Sequence, residues 1–270
     1  MAAGAAALAA APATAKVTAI HAHRGGPFVD GTARYAEASL PAFRAAARRG
    51  FVLELDTRVT LDGAVVVVHD DTLDRTTACT GRLAETPFDR LRSCPLDALG
   101  SPGSTLGSRA KTTSETIPRL ADVLRIAKAR GVRVNVELND FDADSSRAAK
   151  VLDAIAAAGL PRRRVIVQSF FSPNLALAAR RLPGVAIARL SLRQSNESAL
   201  DEAIAARQRY ISPEWPVSRA YVRRAHRAGL RVLPYTLNTP ARVRAAARSG
   251  VDELITDDPV MARRALRRSG

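Results

Sequence analysis

Aromatic side chains make up only 4% of this 270-residue chain, so its core has to be assembled from Ala, Val, Leu and Ile rather than from rings. Cysteine is scarcer still. Cys79 and Cys94 are the only two, and no Cys/His array with zinc-ligand spacing is present. No apolar stretch reaches the roughly 20 residues that a membrane-spanning helix needs. A Gly-rich phosphate loop and a Gly-x-Ser-x-Gly nucleophile elbow are also missing. Lysine is rare as well: only four of the 41 basic residues are Lys, and with 26 acidic residues the formal charge is +15. The arginine doublets and triplet (Arg48-Arg49, Arg162 to Arg164, Arg180-Arg181, Arg223-Arg224, Arg263-Arg264, Arg267-Arg268) recur once per helical stretch. They read as solvated helix faces, not as a specific nucleic-acid stripe. The net positive field favours anionic walls, lipid surfaces and phosphate esters as partners.

What is present is a repeat. Apolar residues are 47% of the chain, enough for one sizeable core. Strand-like runs occur at Val17–His21, Val52–Thr57, Val132–Leu138, Val165–Gln168, Val185–Ala188, Tyr210–Ser212, Val232–Thr236 and Glu253–Thr256. Helical stretches follow most of them, at Leu40–Arg49, Leu120–Arg130, Ser146–Ala158, Pro173–Arg181, Glu197–Arg207, Val217–Ala228, Pro240–Ser249 and Pro259–Arg267. Gly50, Gly131, Gly159, Gly229 and Gly250 stand just past helix ends. Eight strand-then-helix units with right-handed crossovers predict an α/β fold, a (β/α)8 barrel with its site at the C-terminal strand ends. A doubly wound open sheet is the alternative. One segment breaks the repeat: Arg58 to His69 reads as a hairpin turning at Asp62-Gly63. An insertion of about residues 71–116, rich in Gly, Ser, Thr and Pro, follows it and is expected to form a lid or side wall with mobile tips around Gly100 to Ser114.

Residues 16–270 therefore form a single barrel domain. The Ala-rich tract 1–15 ends on Ala13-Thr14-Ala15, a small-residue pattern of the kind a signal peptidase cuts, although no basic n-region precedes it. It reads as a signal-like or disordered segment. In an exported protein Cys79 and Cys94 are expected to pair, and both features point to a secreted or extracytoplasmic location.

The chemistry lies at strand ends. Glu54 and Asp56, two apart on a strand, share a face, while Leu53 and Leu55 point the other way. Two carboxylates together repel, and a divalent cation between them relieves that repulsion. With Glu137, near the end of the third barrel strand, they make a three-carboxylate ligand set suited to Ca²⁺ or Mg²⁺. His23 and His69 occupy strand ends on the same face and suit a general acid/base pair. Arg24 suits a phosphate oxygen. His21 competes for the role given to His23, and His226, within a helix, reads as structural.

An ordered set of motifs is similar to the glycerophosphodiester phosphodiesterase family: His23-Arg24-Gly25, Glu37 to Phe43, Glu54-Leu55-Asp56, Leu61-Asp62-Gly63, Val67-Val68-His69-Asp70, Leu73 to Thr77, Glu137, Gln168-Ser169-Phe170, Tyr235 to Asn238 and Ile255-Thr256-Asp257. The resemblance spans about residues 19–260. It implies a TIM barrel with an insertion after the second strand, a divalent cation, and hydrolysis of glycerophosphodiesters to glycerol 3-phosphate and an alcohol. By the same resemblance Glu54, Asp56 and Glu137 match the metal ligands, His23 and His69 the acid/base pair and Arg24 a phosphate contact. Glu37 matches a Glu that touches the metal or supports its surroundings.

Three positions depart from the family pattern. Ala38 stands where an Asn is usual, Asn139 where a Lys is, and Tyr235 where a Trp is. Arg189, just past the strand ending at Ala188, is a candidate replacement for the missing Lys charge. Two alternatives have other signatures. A phospholipase D-like lyase on the same barrel gives a cyclic phosphate. A non-catalytic polyanion-binding protein shows salt-dependent retention and no role for His69.

Overall fold

The structure, a computed structural model, describes residues 17–99, 109–139 and 145–268. The tract 1–15 and the part of the expected mobile tips at 100–108 lie outside the described residues. Eight parallel strands form the barrel: β1 (Ala19–Ala22), β2 (Val52–Val59), β4 (Val134–Leu138), β5 (Val165–Ser169), β6 (Ala186–Ser191), β7 (Tyr210–Pro213), β8 (Arg231–Val232) and β9 (Glu253–Thr256). A ninth strand, β3 (Val65–Val67), pairs antiparallel with the end of β2. The hydrogen-bonded order is β8-β7-β6-β5-β4-β2-β1-β9. Asp252 N donates to Val232 O and Ile255 N to Pro234 O, both at 3.0 Å, so the sheet comes back on itself as a nearly closed barrel. The open-sheet alternative is thereby excluded.

The helices around the barrel are α1 (Leu40–Arg48), α2 (Leu120–Arg130), α3 (Ser146–Ala157), α4 (Ser172–Arg181), α5 (Asn196–Ala205), α6 (Arg219–Arg227), α7 (Pro240–Ser249) and α8 (Pro259–Arg267). Several start on a side-chain cap that satisfies an orphan amide. Ser39 accepts from Ala42 N, Ser218 from Tyr221 N, Thr239 from Arg242 N and Asp258 from Met261 N. The five glycines expected past helix ends all have positive φ. The expected strand Val232–Thr236 is cut to two residues because Pro234 has no N–H to donate to a ladder.

Alternation along β2 decides what each face does. Leu53 and Leu55 are fully buried in the apolar layer between strands and helices, with Phe43, Leu124 and Leu152. Burying each contributes about 1.5–3 kcal/mol. Glu54 and Asp56 point the opposite way, into the barrel. The interior below them is filled by Ile166, Ala188, Tyr210, Leu233 and Ile255.

The N-terminal end of the interior is ionic. Glu253, fully buried, accepts from Arg133, from Tyr210 OH and from Arg231, and it binds His21 Nε2. Burial alone would push the Glu253 carboxyl up, but His21 and Arg133 hold it well below the usual range. His21 is therefore committed to this plug and does not compete with His23.

The insertion has a core of its own. Val66, Val68, Leu73, Leu83, Leu91, Leu96 and Ile117 pack together with Cys94, beside an antiparallel pair Pro95–Leu99 and Arg109–Thr116. Cys79 and Cys94 form the expected disulfide, with Cα atoms 5.5 Å apart. Among the described residues no helix is long and apolar enough to cross a membrane.

Candidate active site

The turn after β1 builds the site's rim. Arg24, Gly25 and Gly26 all have positive φ, at 51°, 87° and 65°. A Cβ on Gly25 would stand 2.9 Å from Ala42 Cβ, and one on Gly26 would stand 2.8 Å from the Pro259 ring. Only glycine lets this turn seat directly on the starts of α1 and α8. The reversal aims Arg24 N at Glu54 Oε2, 2.9 Å away.

Strand register supplies the floor. Asp56 sits beside Glu137, and Glu137 beside Gln168, while Glu54 lies one pleat lower beside Asn135. Ligand oxygens of Glu54, Asp56 and Glu137 all come within 4.8 Å of one another, and all three residues are buried. Oxygens held about 2.4 Å from one cation are separated by at most about 4.8 Å, so the donor set fits a hard divalent ion. Burial, and then the charge of Asp56, push the Glu54 and Glu137 carboxyls well above the usual range. Gln168 Nε2 donates to Glu54 Oε1 at 2.9 Å, and Asn135 Nδ2 orients that amide by donating to Gln168 Oε1 at 2.8 Å.

Both predicted histidines reach the pocket, each tied down at Nδ1. His23 Nδ1 hydrogen-bonds Asp257 Oδ1, whose other oxygen accepts from Asn238 Nδ2 at 2.6 Å. His69 Nδ1 hydrogen-bonds Asp70 Oδ1 at 2.6 Å, and Arg75 grips Asp70 in turn. An Nδ1–H facing a carboxylate fixes the tautomer that leaves Nε2 as the reactive nitrogen. The His69 carbonyl accepts from Arg58 Nε at 2.7 Å and from Asn139 Nδ2 at 2.8 Å.

Glu37 joins the two halves of the rim. It accepts from Arg24 NH1 at 3.0 Å and from Arg75 NH1 and NH2 at 3.1 and 2.8 Å. Burial pushes its carboxyl up, but the two guanidiniums overcome this and hold it at about 2. Arg24 Nε also lies 3.3 Å from Asp56 Oδ2, so Arg24 braces the carboxylates as well as facing the pocket.

Arg189 does not replace the missing Lys. It is an outward-facing residue of β6, engaged with Glu202 and with the carbonyls of Phe170 and Leu190. His226 hydrogen-bonds Asp252 at 2.8 Å and takes no part in the pocket.

The pocket is about 150 Å³ and has two unlike walls. His23, Arg24, Glu54, Asp56, His69, Glu137 and Gln168 line one side; Phe170, Leu190, Leu192, Tyr235 and Ile255 line the other. Tyr235 meets Phe170 edge-on at 6.2 Å and donates its OH to Ser191 O at 2.9 Å. Among its described residues, the insertion beyond His69 lines none of this pocket. The orienting roles of Asp257, Asp70, Arg75 and Asn135 were missed in the sequence. Only Asp70, adjacent to His69, carried a local signal.

A profile of the glycerophosphoryl diester phosphodiesterase family matches residues 23–261. The chain belongs to that family. It is thereby placed among the phosphoric diester hydrolases. A glycerophosphodiester phosphodiesterase of Caldanaerobacter subterraneus is 29% identical over 261 residues, covering 94% of this chain and 99% of the relative. A Silicibacter pomeroyi structure assigned to glycerophosphoryl diester phosphodiesterases superposes with a TM-score of 0.80 at 26% identity, covering 94% of each chain. The fold is shared with an Oleispira antarctica phosphodiesterase solved with its product sn-glycerol-3-phosphate, at a TM-score of 0.78 and 22% identity, over 93% and 97% of the two chains.

Proposed function

We propose that this member of the family is a secreted, metal-dependent glycerophosphodiesterase that releases glycerol 3-phosphate and an alcohol, with His23 and His69 as the acid/base pair. The observation that carries this reading is the placement of two carboxylate-anchored imidazoles beside three buried carboxylates in one pocket. Glu54, Asp56 and Glu137 would hold Ca²⁺ or Mg²⁺, which when bound supplies Lewis-acid polarisation of a non-bridging phosphate oxygen. Arg24 adds guanidinium charge on the same side. Glu37 keeps Arg24 in position.

In the hydrolysis an oxygen–phosphorus bond forms to the attacking water and the phosphorus–alkoxide bond breaks. One imidazole Nε2 takes the water proton, and the other, protonated, gives its proton to the departing alkoxide. Phe170, Leu190, Leu192 and Tyr235 shield the reacting group from water and receive an organic substituent of the diester. The disulfide supports an extracytoplasmic location.

The experiment is release of glycerol 3-phosphate from glycerophosphocholine with Ca²⁺, with Mg²⁺ and with chelator, alongside Glu54→Ala and His69→Ala. Metal-dependent release lost in both variants supports the reading. A folded, metal-loaded wild type that releases nothing from any glycerophosphodiester overturns it, and a cyclic phosphate seen by phosphorus NMR reassigns the chain as a lyase.

A further inference from the structure

The arginine-rich helix faces are not matched evenly by acids around the barrel. Four consecutive helices, α6, α7, α8 and α1, carry four, three, three and two arginines and not one Asp or Glu. The other four, α2 to α5, hold seven basic side chains against five acidic ones. The acid-free helices are neighbours in space. Arg219 Nε donates to Arg248 O across α6 and α7, α7 packs on α8, and Arg263 of α8 donates to Arg49 O at the end of α1.

Most of these arginines are solvent-exposed. Among the described residues, the ion pairs of the set are those of Arg224 with Glu197 and Asp201 and of Arg264 with Asp30. Arg263 is held over the Phe51 ring at 3.9 Å, where the nearby Arg49 and Arg267 leave it among like charges. Half the circumference of the barrel thus carries neighbouring arginine-rich helices on which, among the described residues, most guanidiniums have no carboxylate partner. It begins beside the pocket, because α1 and α8 follow the strands that lead to His23 and Asp257.

We infer that this half-barrel binds a flexible linear polyol-phosphate chain, whose phosphodiesters pair with the planar guanidinium forks. Its curvature decides against a flat bilayer, which touches only a helix or two of a convex cylinder at once. The aromatics of these helices decide against nucleic acid: Phe43 and Tyr221 are both buried, so no exposed ring is offered for base stacking. The choice of a polyol phosphate also rests on the glycerophosphodiester reading of the pocket. Binding is therefore read with chelator present and needs no turnover.

The test titrates the protein with poly(glycerol phosphate) between about 50 and 200 mM salt. The quadruple variant R48Q/R223Q/R242Q/R267Q changes exposed residues only. It is expected to lose about 3 from the slope of log affinity on log salt, about 0.7 per contact, and to bind roughly tenfold more weakly at low salt. Its kcat/KM on glycerophosphocholine is expected to stay unchanged. The matched variant K128Q/R130Q/K150Q/R180Q on the other half is expected to bind as wild type does. If the quadruple variant melts early, Arg223→Gln alone should take about a quarter of the slope change. Equal losses in both halves, or tighter binding of single-stranded DNA or of anionic phosphatidylglycerol vesicles, would overturn the assignment.

Discussion

His23 and Asp257 share a hydrogen bond although they stand 234 positions apart, one following the first barrel strand and the other the last. The imidazole is therefore oriented only once the barrel has closed. Asp257→Asn keeps the shape and the bond to Asn238 but removes the carboxylate that fixes the tautomer. The expected result is a fall in kcat of roughly 10²-fold or more, with little change in Tm. Steady-state kinetics beside a melting curve checks it, and an unchanged kcat would show the Asp257 carboxylate to be dispensable for orienting His23.

The carboxylate cluster links metal and pH to stability. Glu54 and Glu137 ionise in the unfolded chain near 4.5 and at higher pH when folded without metal. Between those values the unfolded state binds fewer protons, so these two groups remove stability as pH rises above about 4.5. Glu37 has the opposite sign: held at about 2, it adds stability above 4.5 that is lost as pH falls towards 2. In chelator Tm is expected to decline as pH rises from about 4.5. Ca²⁺ or Mg²⁺ at about 100 times its Kd should add about 2.7 kcal/mol, or about 5 to 10 °C, and abolish the decline. Calorimetry across pH with and without metal measures both.

Ala38 is strained. Its φ of 58° is disfavoured for a residue with a Cβ by about 1–2 kcal/mol, and it is held there because Ala38 N donates to Arg24 O at 2.8 Å. Ala38→Gly relieves the strain but loosens the unfolded chain by about 0.4–1 kcal/mol. A net gain of about 0.5–1 kcal/mol, or a Tm rise of about 2–3 °C, is expected. A lower Tm in thermal denaturation would count against this reading.

The disulfide closes a 15-residue separation in a segment with only a small core of its own. The chain-entropy model gives about 3 kcal/mol for that loop. Cys79→Ala/Cys94→Ala should melt about 6 to 12 °C earlier. Because none of the segment's described residues lines the pocket, kcat below the melt should hold.

The fold was legible because its signals are local: a strand-then-helix unit repeats eight times, with a glycine stop just past five of the helices. Glu54, Asp56 and Glu137 were legible for the same reason, since spacing by two on a strand fixes the face. The histidine anchors were not, because Asp257 meets His23 only through barrel closure, and Arg75 meets Glu37 only through the folding of the insertion. Arg189 misled because its position beside the pocket in sequence says nothing about which side of β6 it occupies. His21 misled because its partner, Glu253, is 232 residues away.

The two walls of the pocket come largely from different halves of the chain. The carboxylates, the imidazoles and Arg24 all precede residue 140, whereas Phe170, Leu190, Leu192, Tyr235 and Ile255 follow residue 165, as does Gln168 of the polar wall. Charge and fit therefore come largely from different stretches of sequence, joined by Gln168 and by the His23 anchor Asp257. Drift confined to Phe170, Leu190, Leu192 and Tyr235 is expected to retune which alcohol fits while Asp257 and Gln168 go on holding the polar wall, which leaves this barrel room to evolve towards new diesters.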